Sequence, residues 1–251
     1  MSHKFLMDSE HLECVKSYKY LGIYFAASGS FSLAQEEMYK KALKAYFKLQ
    51  KDFLNLNPGV KNSTHIFDHT IKPILLYGCE MWGSFNTQTA RFRKNSLELD
   101  EIYSKALCEK LHIKFCRYIL GVHKKSAKFA VLAELGRFPM GYNIISQMLN
   151  YWHRLENLDD SFPLLQAAYN VDKLNFRNKL SSWCGSINLL FRYFPELMKV
   201  QHATSSLFKT KCKKYLQEQF LNNWYRKKDI LSCTGKLSNN FEKFYAEKDS
   251  N

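Results

Sequence analysis

Cys108, His112 and Cys116 fall at i, i+4 and i+8 of one helical stretch and are the residues with the most obvious chemical potential. A metal would need a fourth ligand converging from elsewhere, with His123 the nearest in sequence. Three ligands in a row on one rod do not wrap a tetrahedron, and small apolar cysteines facing a core explain the spacing better. The reading is therefore no metal. Leu158-Asp159-Asp160 contains paired carboxylates, a type that can hold two metal ions for in-line displacement. Such a pair needs a tight strand turn and a third carboxylate. Here it lies between YWHRLEN and SFPLL, two amphipathic stretches, and is expected to cap the second helix. G-x-x-x-x-G-K, G-x-G-x-x-G, H-E-x-x-H and G-x-S-x-G are all absent. No catalytic residue, cofactor or metal is expected.

The basic segments say more. From Lys110 to Ala133 the chain has no acidic residue but holds Lys110, Lys114, Arg117, Lys124, Lys125 and Lys128. A second cluster places Lys209, Lys211, Lys213, Lys214, Arg226, Lys227 and Lys228 among Phe208, Tyr215, Trp224 and Tyr225. Cations interleaved with aromatics suit phosphate contact plus base stacking. In the last cluster, however, Tyr215 and Trp224 fit an apolar stripe, so those aromatics are read as core.

These side chains need helices to position them. FSLAQEEMYKKALKAYFKLQKDFLN repeats Phe31, Met38, Ala42, Ala45, Tyr46, Leu49 and Phe53 at helical spacing. Ser32 and Gln35 have the spacing of a capping box. Lys40, Lys44, Lys48 and Lys51 form a second stripe on roughly the opposite face, either a solvated surface or a phosphate-binding one. Asn62 or Ser63 is expected to start a second helix through Ile66, Phe67, Ile71, Leu75 and Trp82. Asn62-Ser63-Thr64 also fits a glycosylation acceptor, but a helix start is the simpler reading. Pro73 must kink this helix, Gly78 allows a close approach, and Glu80 must face water or a partner. A third long helix is expected from about Ser96 to Leu120, closed by Gly121. Shorter ones follow in AKFAVLAELG, after Pro139, and near Phe162–Leu174, Ser181–Phe194 and Ser205–Tyr225, before a polar tail. Ahead of them all, Tyr18 to Phe25 reads as a strand or hairpin.

The composition agrees. With 46% hydrophobic residues and only 10 Gly and 5 Pro in 251 residues, long helices are favoured over many short strands. A net charge of +14 predicts attraction to polyanions, nucleic acid first. The seven cysteines form no C-x-x-C pair and no apolar leader opens the chain, which fits a reduced intracellular compartment, cytoplasm and/or nucleus. No uncharged run approaches membrane-spanning length.

The order of segments carries a resemblance. KYLGIYFAASGSF, a basic amphipathic helix, then HIFDHTIKPILLYGCEMWG resembles the region after the palm of LINE-type (non-LTR) retrotransposon reverse transcriptases. LHIKFCRYILGVHKKSAKFAVLAELGRFP, MLNYWHRLENL and FLNNWYRKKDILSCTGKLSNNFEKFYAEK continue the likeness across nearly the whole chain. The resemblance implies that Tyr20, Leu21 and Gly22 match the family's Y-L-G primer grip. It implies that the helices from Phe31, Ser63 and Ser96 form a three-helix thumb, and that Leu135-Gly136-Arg137 opens a connecting region. The family's Y-x-D-D palm turn and its Cys/His-rich segment have no counterpart in these residues, and Asn240 stands where many relatives show tyrosine. The chain is therefore expected to be a clipped part of such a protein, with polymerase activity not carried over.

The expectation is a mostly α protein: a palm-edge β segment over 1–30, a thumb-like bundle over 31–121 and a helical connecting region over 122–251. Its expected partner is an RNA–DNA or DNA duplex bound without sequence preference, with no membrane. The contact residues would be Tyr20, Leu21, Gly22, Lys40, Lys44, Lys48, Lys114, Arg117, Lys124, Lys125 and Lys128. The missing palm domain, or a second copy of the chain, would cover what the bundle leaves exposed. The competing expectation is a structural or protein-interaction fragment, or a decayed reading frame, without a nucleic-acid role.

Overall fold

A computed structural model describes residues 6–7, 10–11, 13–89 and 103–232, with side-chain surroundings for 13–84 and 103–225. Two short antiparallel pairs come first: β1 (Leu6–Met7) with β2 (Glu10–His11), and β3 (Ser17–Tyr20) with β4 (Ile23–Ala26). Helices follow: α1 (Ser32–Leu56), α2 (Gly59–Thr70), α3 (Lys72–Leu75), α4 (Cys79–Thr89), α5 (Leu107–Ile119), α6 (Lys128–Glu134) and α7 (Met140–Glu156). Then come α8 (Pro163–Arg177), α9 (Trp183–Tyr193), a 3₁₀ turn at Pro195–Val200 and α10 (Ser205–Ser232). The mostly α expectation with a short N-terminal β piece is met.

Local chemistry accounts for most boundaries, and for the misses. In α1, Met38, Ala42, Tyr46 and Phe53 of the stripe read from spacing are buried, with Ala34 beside them, and Asn57 ends the helix in the left-handed region at φ 42°. The capping box does not form: Ser32 is already helical, Phe31 holds the cap position, and the Ser32 N–H bonds the Ser30 hydroxyl instead. Likewise α2 starts at Gly59, not at Asn62 or Ser63. Pro58 precedes it with a φ already suited to a helix start, and the Ser63 hydroxyl donates back to the Gly59 carbonyl at 2.7 Å.

Pro73 breaks the following stretch as expected, at the first turn of α3. Gly78 then turns at φ 69°, where an added Cβ would lie 2.4 Å from Ile23 Cδ1. Among the described residues the half-buried carboxylate of Glu80 makes no ion pair, and it is the Glu80 carbonyl that accepts the Trp183 indole N–H at 2.8 Å.

The third long helix is shorter than expected. Ser96–Ile102 lies outside the described residues, Tyr103–Lys105 forms a turn, and the helix begins at Leu107. Tyr103 is buried and donates its hydroxyl to the Gly83 carbonyl at 3.1 Å, which draws this segment inward. Asp159 does not cap α8, whose cap position is Phe162; it accepts from the Ser161 N–H at 3.0 Å within the connecting turn. Beyond Tyr225, α10 continues to Ser232, so the part of the expected tail over 227–232 is helical. The remainder of that tail lies outside the described residues.

Four of the helical segments meet as a bundle: α1 packs on α3 and α5, and Phe67 of α2 stacks on Phe115 of α5 at 4.1 Å. One apolar core runs on from there, from Ala42 to Trp224, without a break between residues 121 and 122. Its hub is α7, which packs against α4, α5, α9 and α10. Gly83 permits the approach of α4, since a Cβ there would stand 2.5 Å from Ile144 Cγ2.

Candidate nucleic-acid interface

Tyr20, Leu21 and Gly22 form the tip of the β3–β4 hairpin. Tyr20 pairs with Ile23, so Leu21 and Gly22 are a two-residue turn, with φ of 46° and 87°. Two successive positive φ angles match the right-handed twist of paired strands. Tyr20 and Leu21 project into solvent, and the Tyr77 hydroxyl pins the tip by donating to the Leu21 carbonyl at 2.8 Å.

Lys40, Lys44, Lys48 and Lys51 are all exposed on α1, opposite its buried stripe. Lys40 is drawn back to Glu37 at 2.7 Å, an exposed i,i+3 pair of little energetic weight. Lys44 and Lys48 have no ion pair among the described residues. Two apolar side chains share this face, Phe47 and Leu54, 51% and 77% exposed. The structure brings Lys114 of α5 to the same place, its ammonium 4.6 Å from the centre of the Phe47 ring. An exposed aromatic ring with one cation over it, next to the exposed lysines of α1, suits stacking beside phosphate contact.

The remaining expected contacts divide. Lys124 and Lys125 are exposed in the loop beyond the end of α5. Arg117 anchors that loop, donating to the Ser126 carbonyl at 2.6 Å. Lys128 stands 3.0 Å from the buried carboxylate of Glu109, so its charge is neutralised within the fold. In the second basic cluster Trp224 is buried and Tyr215 packs on the core, as their spacing indicated; Phe208 is buried too, whereas Tyr225 is exposed.

A buried polar network was not foreseen. Glu109 is 1% exposed and accepts the Met140 N–H at 2.6 Å, which places its charge at the positive end of α7. Burial alone would raise the Glu109 carboxyl, but His112 and Lys128 outweigh it and hold the group below its ordinary range. His112, also 1% exposed, accepts the Arg137 Nε–H at Nε2 over 2.8 Å. Burial holds this imidazole below its ordinary pKa. The two terminal nitrogens of Arg137 clasp Asp68 at 3.1 and 2.5 Å, a bidentate pair. The burial that would raise Asp68 is outweighed by Arg137, so its carboxyl sits below its usual value.

Arg137 and Asp68 face a cleft of about 710 Å³ between α2, α7 and α10, which Lys61, Lys72 and Lys213 also line. Nothing in the sequence pairs residues 68 and 137. The only local signal was Lys72 four residues after Asp68, a helical ion-pair spacing.

Cys108 and Cys116 are buried on α5, and burial pushes both thiols up to about 12, far from the thiolate a metal needs. Among the described residues no His, Cys, Asp or Glu cluster has a metal-binding arrangement, and no helix is long and apolar enough to cross a membrane. No family model, curated protein or solved structure matches the chain.

Proposed function

We propose that this chain is the thumb and connecting part of a LINE-type reverse transcriptase and that it binds template–primer duplexes, without catalysis of its own. The observation that carries this reading is the α1 face, where Lys44 and Lys48 are exposed, and beside it Lys114 stands 4.6 Å from the centre of the exposed Phe47 ring. Duplex phosphates would lie along the lysines, while Lys124 and Lys125 extend the positive surface beyond α5. The hairpin tip Tyr20-Leu21-Gly22 is solvent-facing and available to a strand end. Such contacts read charge and shape, so binding is sequence-tolerant. Titrating a labelled RNA–DNA or DNA duplex at several salt concentrations tests the proposal. Affinity should fall steeply with salt; no binding at low salt, or affinity indifferent to salt, rejects it.

A second reading, a protein-interaction module, is favoured by apolar side chains left in solvent. Tyr18, Tyr20 and Leu21 on the hairpin and Leu164, Val171 and Leu174 on α8 are 54% to 86% exposed. The palm domain of such a polymerase, or a second copy of this chain, is the partner each face suits.

A further inference from the structure

We propose that the cleft between α2, α7 and α10 is a binding site for a nucleotide-sized phosphate ester, held by Lys72, Arg137 and Lys213. The cleft's volume of about 710 Å³ falls in the range of small-ligand pockets. Four cationic side chains line it, Lys61, Lys72, Arg137 and Lys213, against a single carboxylate, Asp68. That carboxylate is already clasped by Arg137 and stands 3.9 Å from Lys72. Three positive charges are therefore left over in one concave surface, a match for a dianionic phosphate.

The site is preorganised. Arg137 is held by its hydrogen bonds to His112 and Asp68 and lies 5.4 Å from the Phe67 ring centre. Of its five N–H donors, three are engaged and two remain for a ligand. Burial disfavours the charge on Lys72 and Asp68 only partly offsets that burial, while Arg137 and Lys213 add repulsion. An anion in the cleft would relieve that repulsion. Phe138, Tyr142 and Leu216 supply an apolar wall on which the organic part of the ester can rest.

The ester could belong to a free nucleotide or to the phosphorylated end of a strand. This site is separate from the α1 face, so it can exist whether or not that face binds a duplex. The test is calorimetric titration of the full chain with ATP, inorganic tripolyphosphate, and a short single-stranded oligonucleotide carrying a 5′-phosphate or a 5′-hydroxyl. Lys72→Gln/Lys213→Gln should weaken binding by about tenfold for each lysine removed. Lys213 is exposed, so Lys213→Gln alone serves if the double variant fails to fold. Lys199→Gln, at an exposed lysine outside the cleft lining, should leave binding unchanged. Lysine-dependent binding of ATP identifies a free nucleotide as the source. Lysine-dependent binding of the 5′-phosphorylated strand alone identifies a strand end. No binding by any probe at low salt, or equal binding by wild type and Lys213→Gln, overturns the proposal.

Discussion

Arg137 joins two helices through one guanidinium, Asp68 on α2 and His112 on α5. Arg137→Ala leaves a buried imidazole and a partly buried carboxylate without their donor. The expected cost is about 3 kcal/mol of stability, measured by urea denaturation. His112 adds a pH dependence. Its folded pKa is lowered, so below the ordinary imidazole value of about 6.5 the unfolded chain binds a proton that the native chain does not. Stability is then full above that value and declines as pH falls below it. Melting temperature should rise between pH 5 and pH 7, and His112→Gln should flatten the rise. Glu109, with its lowered pKa, loses its contribution only at more acidic pH, below the ordinary carboxyl range. Little of this network was legible from spacing: Lys72 follows Asp68 by four residues and His112 follows Glu109 by three, but the pair that closes it joins residues 69 apart.

At the scale of elements, the hairpin tip and the helix break face each other. Leu21 has φ 46°, a conformation that costs an L side chain about 1 kcal/mol. Leu21→Gly should therefore raise the melting temperature slightly, whereas Gly78→Ala should lower it. The latter combines φ 69° with a Cβ 2.4 Å from Ile23 Cδ1, a destabilisation of about 1–3 kcal/mol. Thermal denaturation monitored by circular dichroism reads both. The apolar periodicity of α1 and the break at Pro73 were legible because each rests on local geometry. Helix starts were less so. Ser32, Asn62, Ser63 and Asp159 all looked like caps; Ser32, Ser63 and Asp159 instead bond within their own turn or helix, and Asn62 lies inside α2. Side-chain oxygens of this kind serve helix starts and other turns equally well, so their types alone do not separate the two.

For the molecule as a whole, the sequence predicted where positive charge accumulates but not which cations the fold itself consumes. Lys128 and Arg117 serve the structure, through Glu109 and the Ser126 carbonyl, while Lys44, Lys48, Lys124 and Lys125 remain exposed. Lys128→Gln should accordingly cost stability, because it leaves Glu109 buried with less compensation. It should barely change affinity for a duplex. The continuous core from α1 to α10 holds the exposed cations on one rigid body, so the α1 face presents its charges in fixed spacing. The most direct test is the salt dependence of duplex affinity for Lys40→Gln/Lys44→Gln/Lys48→Gln beside wild type. These exposed lysines contribute little to folding, so the variant should melt like wild type. Its log–log slope should fall by about two to three units, close to one for each phosphate contact removed. An unchanged affinity and slope in a folded variant would contradict the account and leave α1 an ordinary solvated helix.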